Sequence, residues 1–323
     1  MGSENDSVLY RTKKERLIYG NHFGDIFDFS KESNFPHKFY NLLNDLDVCS
    51  KNIIISCLYR IKVLNSCEDE IIDIFTEEEK EKMACIKRDL KCNIMHLAEN
   101  VWAYKGYMLP IKDFRGEIFL EKMGISCIED RDRCAHKDMI DVGAYIGDSA
   151  LVLSELTSGN VYAFDPVEGN IEYMKQTALM NQRKIIPMNM AVSDKDGEDY
   201  LSVGEAVFNS TIEEIGERKY VEKVPIKTVT IDQFVSKYGL AIGLLKIHAE
   251  GAEQKVLEGA RNTIIEQAPV IIVEMNHTEN DFYNIKPMIE EMRSDYGFKV
   301  FKPMNGLICL GLKLIAEVKR DLS

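Results

Sequence analysis

MIDVGAYIGDSA, residues 139–150, is the stretch whose reading decides the fold. An apolar run carrying one acid leads into Gly143 and Gly147, and a helical pattern follows at once. A buried parallel strand reads as such a run, and glycines at its carboxyl end let a ligand approach the backbone. The glycine spacing also separates cofactors. A dinucleotide turn uses G-x-G-x-x-G, with the pyrophosphate on the helix N-terminus. Here Asp141, Gly143 and Gly147 are followed by Asp148. Two carboxylates oppose a pyrophosphate and suit a cationic, amino-bearing ligand. An ordinary strand-to-helix turn has the same look, so the turn must be weighed with the rest of the chain.

Outward from it, strands and helices alternate, which predicts a doubly wound, mostly parallel α/β sheet of Rossmann-like type. Strands are expected at 139–143, 161–165, 185–192, 244–249 and 270–275, with helices at 147–157, 168–181, 231–238, 252–266 and 280–294. Near the end, Asn305-Gly306 lies between two apolar strands within 298–318, and Asn-Gly is a strong hairpin signal, so an antiparallel pair closes one sheet edge. Upstream, the first hundred residues read mainly as helices. Residues 41–64 carry apolar side chains at helical spacing, and Thr76 with Glu79 resembles a capping box. Residues 101–110 form a small hairpin turning at Lys105-Gly106. The chain divides as 1–98, a mainly helical accessory region, and 99–323, the cofactor-binding domain.

Bulk properties narrow the partners. The 323 residues are 45% hydrophobic and 29% charged, with a formal net charge of −13. Binding to phosphate backbones is driven by Lys and Arg, so this charge argues against nucleic-acid and anionic-membrane partners. The eight cysteines include no C-x-x-C pair, which points to reduced thiols rather than a disulfide or zinc framework. No apolar run approaches the ~20 residues needed to span a bilayer. There is no secretory h-region, and Gly2 lacks the Ser or Thr of a myristoylation signal. The expected location is cytoplasmic.

In an open α/β sheet the ligand lies beyond the carboxyl ends of the strands. The first strand brings Asp141, Gly143, Tyr145, Gly147, Asp148 and Ser149 there. The second ends at Asp165-Pro166, and an acid 24 positions after Asp141 can accept hydrogen bonds from ribose hydroxyls. The third ends at Ser193-Asp194, near an adenine edge. These elements arriving in order indicate a nucleotide-bearing cation, S-adenosylmethionine. The fourth segment, LLKIHAEGAEQKVLEGA (244–260), delivers His248 and Glu250, and a neutral imidazole there can remove a hydroxyl proton. Glu274 ends the fifth strand, followed by Asn276 and His277. His248, Glu250, Glu274 and His277 are of metal-ligating type, but no compact spacing on one element defines a ligand set. Capping and substrate contacts account for them, and no metal is assigned.

Together these segments resemble the FkbM family of S-adenosylmethionine-dependent methyltransferases over roughly residues 100–305. MIDVGAYIGDSALVL, VYAFDPVEGNIEYMKQTALMN, NMAVSDKDGE, VTIDQFV, LLKIHAEGAEQKVLEGA and IIVEMN carry the resemblance. It implies a class I methyltransferase fold and O-methylation of a hydroxyl on a sugar, glycan or secondary metabolite. It also implies that Asp141, Gly143, Gly147 and Asp165 contact the cofactor, with Ser193 or Asp194 near adenine. The chain departs from the family twice. Asp165 stands where Glu is usual, and His248 stands where Lys-Ile-Asp-Val-Glu-Gly-Ala-Glu has its Asp.

The reading is therefore an S-adenosylmethionine-dependent O-methyltransferase with His248, Glu250 and Glu274 as catalytic residues. Asn209, Ser210 and Asn276 are the substrate contacts, with Phe208 on the same loop. The acceptor is a small molecule or glycan, with no nucleic-acid or membrane partner, and a homodimer is admitted. The alternative is a catalytically silent cofactor-binding scaffold that keeps the fold.

Overall fold

A computed structural model of the chain describes residues 10–11, 34–66, 71–204 and 220–319. Strand β1 (Tyr10–Arg11) pairs antiparallel with β2 (Ile71–Ile72). Between them lie α1 (Phe35–Leu43), with proline in its first turn, and α2 (Val48–Ser66). The helix expected over 41–64 is thus two helices. Asp45 takes a left-handed φ of 58°, and the Asp47 carboxylate accepts the Ser50 amide at 2.8 Å, which starts a new helix. The capping box forms as expected at the start of α3 (Glu77–Asn93), with Glu79 N on Thr76 Oγ1 and Thr76 N on Glu79 Oε2. Next come β3 (Met95–Ala98), β4 (Val101–Tyr104) and β5 (Tyr107–Leu109), an antiparallel meander. Its second turn is at Lys105-Gly106, both at positive φ, as two-residue hairpins require. The division drawn at 98/99 falls inside this meander, between β3 and β4. The short helix α4 (Gly116–Phe119) follows.

The remainder alternates as β6 (Asp138–Val142), α5 (Asp148–Leu153), β7 (Val161–Phe164), α6 (Glu168–Asn181) and β8 (Ile185–Met188). After β9 (Ala191–Val192), β10 (Gly197–Gly204) and β11 (Tyr220–Val229) come α7 (Ile231–Tyr238), β12 (Ile242–Ile247), α8 (Glu253–Glu258) and α9 (Arg261–Gln267). The chain then forms β13 (Val270–Glu274), α10 (Glu279–Met292), β14 (Tyr296–Phe301) and β15 (Lys313–Val318). The main sheet runs in the order β14-β15-β13-β12-β6-β7-β8. All neighbouring pairs from β13 to β8 are parallel, and β15 is antiparallel to both its neighbours. This is the Rossmann-like, doubly wound sheet with a terminal antiparallel pair.

Three local expectations need correction. Residues 185–192 are two strands, because β9 leaves the main sheet to pair with β11 in a small sheet of order β10-β11-β9. Residues 252–266 are two helices that meet at Gly259-Ala260. A Cβ at Gly259 would lie 2.1 Å from the Ser193 carbonyl oxygen, so the close approach of that loop requires glycine. The terminal pair is joined by residues 302–312 and not by a two-residue Asn305-Gly306 turn.

Successive strand side chains point to opposite faces, so each central strand feeds two cores. On one face Ile140, Val142, Leu245, Ile247, Ile271 and Val273 pack with Phe282 and Ile289 of α10 and with Leu42, Ile54 and Ile61 of α1 and α2. On the other, Met139, Val161, Ala163, Leu244, Val270 and Ile272 pack with Leu151 and Met174 and with Tyr104, Phe114 and Phe119. Among the described residues no helix is long and apolar enough to cross a membrane.

Candidate active site

The turn after β6 is shaped by contact with the neighbouring strand. Gly143 has φ +70°, and a Cβ on it would lie 1.8 Å from the His248 carbonyl oxygen. Gly143 N and Ala144 N both donate to Phe164 O at 3.0 Å, which ties the turn to the end of β7. Tyr145 (φ 49°) and Gly147 (φ 82°) complete the left-handed bends.

The two carboxylates of this turn are matched by bases, which corrects the electrostatic argument drawn from them. Asp141 is fully buried, 2.9 Å from Lys246 Nζ, and its Oδ2 accepts from Ser149 Oγ at 2.6 Å. Lys246 also donates to the carbonyls of Val142 and Gly143 at 3.2 and 3.1 Å. Asp148 is buried against Arg115 Nη2 at 2.7 Å. Neither acid lines the cavity, and nor does Gly147; they brace its wall. Gly143, Tyr145 and Ser149 do line it.

That cavity runs along the carboxyl ends of β6, β7 and β12. Asp165 and Pro166 line it after β7. Asp165 Oδ2 accepts from Tyr145 N at 3.0 Å, and Oδ1 accepts from Val167 N at 2.9 Å and Asn170 Nδ2 at 3.0 Å. Burial pushes its carboxyl up to about 6, against the lowering effect of these donors and of Lys246. Beside it Phe164, Val167, Met190, Val192 and Leu201 make an apolar slot. Ser193 and Asp194, expected near adenine, sit one step beyond that slot. Ser193 Oγ donates to Asp194 at 3.1 Å, and neither residue lines the cavity.

At the far end, His248, Glu250 and Glu274 converge. The imidazole bridges two carboxylates, with Nε2 3.1 Å from Glu250 Oε1 and Nδ1 3.1 Å from Glu274 Oε1. His248 and Glu250 are partly exposed to the cavity, whereas Glu274 is buried on Lys313 at 2.8 Å. Burial alone would raise the Glu274 carboxyl, but facing His248 and Lys313 hold it well below the usual carboxylate range. Behind them His277 is buried, with Nδ1 2.8 Å from Glu253 Oε1. Burial disfavours its cation, yet Glu253, Glu250 and Glu274 outweigh this and push it up to about 10. Glu253 also accepts from the amides of Ala249 and Gly251, which folds the turn that carries Glu250 at φ 50°.

Asn276 is buried and does not line the cavity. Phe208, Asn209 and Ser210 lie outside the described residues. Sequence reasoning missed Arg115, Lys246, Lys313 and Glu253. Lys246 carried a signal, since a lysine inside a run of buried strand residues needs a partner. Arg115 carried none, because its link to Asp148 spans 33 residues of chain.

Residues 141–300 match the family model for the methyltransferase FkbM domain. A search of curated proteins finds no match. Among solved structures, methyltransferase FkbM from Methylobacillus flagellatus KT aligns with a TM-score of 0.54 at 15% identity. The alignment covers 88% of this chain and 58% of that one, so the chain spans little more than half of that protein's length. An rRNA methylase from Streptococcus thermophilus aligns at 0.37 and 11% identity, covering 59% of this chain and 94% of that one. The tRNA (uracil-54, C5)-methyltransferase of Pyrococcus abyssi, in complex with S-adenosyl-L-homocysteine, aligns at 0.36 and 11%, covering 70% and 44%. At 15% identity the likeness to the Methylobacillus flagellatus protein concerns the fold.

Proposed function

We propose that this chain, whose residues 141–300 match the methyltransferase FkbM domain, uses S-adenosylmethionine to methylate a hydroxyl of a small-molecule or glycan acceptor. One observation carries the reading. A single cavity joins Asp165 and the apolar slot, past Gly143 and Tyr145, to His248, Glu250 and Glu274.

The residues fit the cofactor. Asp165 offers carboxylate oxygens to ribose hydroxyls, and the slot of Phe164, Met190 and Val192 suits a flat base. Arg115 lines the cavity, and its buried Nε has no hydrogen-bond partner among the described residues, which suits a carboxylate such as that of an amino acid. When bound, S-adenosylmethionine supplies an electrophilic methyl group on sulfur. The chain then has to hold an acceptor hydroxyl and take up its proton. Glu274 orients the His248 ring, and the proton is taken by the cavity-facing His248–Glu250 pair. A positioned base contributes about 10²–10⁴-fold. The net charge of −13 supports an acceptor without a phosphate backbone.

Calorimetry with S-adenosylmethionine, then a methyl-release assay over a panel of hydroxylated acceptors, tests the reading. Binding with turnover on a hydroxyl supports it. Tight binding with no turnover on any acceptor supports a silent scaffold, and absence of binding overturns the cofactor assignment.

A further inference from the structure

Three side chains that the sequence spreads over 30 positions converge beyond the ends of two adjacent strands. His248 and Glu250 follow β12, and His277 follows β13, which pairs with β12 in parallel. One donor atom from each lies within 4.8 Å of the other two. We infer that His248, Glu250 and His277 form a binding site for one divalent first-row transition-metal ion, with Glu274 as an adjoining fourth donor.

Four features carry this. First, the buried Glu274 has one oxygen, Oε2, with no hydrogen-bond partner among the described residues, and that oxygen lies 3.7 Å from His277 Nε2. A buried carboxylate oxygen without a hydrogen-bond donor is costly, and it retains the lone pairs with which to ligate an ion. Second, each imidazole has a carboxylate oxygen close to Nδ1, Glu253 Oε1 at 2.8 Å from His277 and Glu274 Oε1 at 3.1 Å from His248, as ion-pair contacts. Each Nε2 lies near Glu250 Oε1, at 3.8 Å from His277 and 3.1 Å from His248. A carboxylate on the far nitrogen of a ligating histidine is the usual outer support of a metal site. Third, carboxylate oxygens of Glu250, Glu253 and Glu274 all lie within 3.8 Å of an imidazole nitrogen, and Lys313 is the lysine ion-paired to one of the three, so acids outnumber bases in the cluster, which suits a cation. Fourth, His248 and Glu250 line the cavity, so the ion would have an open side for an oxygen ligand.

The donor set names the ion class. Two imidazoles with one or two carboxylates suit manganese, iron, cobalt or zinc, whereas magnesium and calcium prefer oxygen alone. Metal–donor bonds of ~2.0–2.2 Å are compatible with donor atoms within 4.8 Å of one another. The inference deepens the proposed function without resting on it. An ion here would bind the acceptor oxygen and lower its proton affinity, in place of the His248–Glu250 pair as proton acceptor. The two roles compete for the same Nε2 lone pair.

The test uses the full chain freed of metal by chelation and titrated separately with Mn²⁺, Co²⁺, Zn²⁺ and Mg²⁺, without cofactor or acceptor. The expected result is saturable binding of one Mn²⁺, Co²⁺ or Zn²⁺ per chain by calorimetry, with Mg²⁺ at least tenfold weaker. Visible absorption of bound Co²⁺ should report nitrogen ligation. His277→Ala and Glu250→Gln should each weaken binding by at least ~10-fold. Glu250 is partly exposed, so Glu250→Gln keeps the test valid if the buried histidine variant does not fold. No saturable binding by the wild type would overturn the inference, as would binding undiminished in Glu250→Gln. S-adenosylmethionine titrated into the same metal-free protein keeps the two readings apart. Cofactor binding without metal binding defeats only this inference, and metal binding without cofactor binding defeats only the proposed function.

Discussion

Asp165 is the residue where pH should be most legible. Its carboxyl is raised to about 6 by burial, so the native state holds that proton more tightly than the unfolded chain. The associated stability is complete below the unfolded value near 3.8 and is lost as pH rises through about 6. The proposed contact with a cofactor ribose runs the other way, because the ionised carboxylate is the better acceptor. Cofactor affinity measured by calorimetry should therefore fall up to tenfold per pH unit below about 6. Asp165→Asn should flatten that dependence and weaken binding by roughly 10–100-fold, the value of hydrogen bonds to a charged group. The Asp141–Lys246 pair makes the opposite kind of prediction. Lys246→Met leaves a buried carboxylate unpaired and should cost about 3–5 kcal/mol in urea unfolding, while adding Asp141→Asn should restore much of it. Asp165 could be read from the sequence because it ends an apolar strand ahead of Pro166. The neutralisation of Asp141 could not, since it depends on register between β6 and β12.

At the scale of elements, the strands were legible because each is an apolar run between turn signals, and β6, β7, β12 and β13 lie within two or three residues of where the pattern puts them. What the pattern could not carry were breaks set by distant backbone. Nothing near Gly259 announces the Ser193 carbonyl that splits α8 from α9. The parting of β9 from β8 likewise depends on β11, some thirty residues further on. Gly143 supplies a test of how firmly these contacts bind the elements. Gly143→Ala places a Cβ against the His248 carbonyl at positive φ, so loss of more than ~3 kcal/mol, or of folding altogether, is expected in denaturant titration. Gly106→Ala is the control. Its φ is +91° but no atom lies within 4 Å of the added Cβ, so it should cost only the ~1–2 kcal/mol of a left-handed residue.

For the whole molecule, the N-terminal helices and the sheet share one core, since Leu42, Ile54 and Ile61 pack with Ile271 and Ile289. Polar contacts follow the same route. Ser50 Oγ accepts from Val300 N at 2.9 Å, and the buried Lys286 donates to Asn41 O at 3.2 Å. Fluorescence of Trp102, the single tryptophan, and far-ultraviolet circular dichroism should therefore trace coincident urea transitions. A chain beginning at residue 67 should lose that cooperative transition or precipitate. The sequence suggested an added region here because α1 and α2 precede the alternating pattern; that their apolar side chains complete the sheet's own core is a long-range fact. The contact of Gly143 with the His248 carbonyl has a last consequence, in kinetics. His248 N donates to Val142 O at 3.1 Å in the same place, so among the described residues the Gly143 turn and the start of the His248 segment are held to each other directly through backbone. Under the proposed function, such a direct link predicts random binding with a coupling factor near one, and initial-velocity lines for cofactor and acceptor that cross on the abscissa.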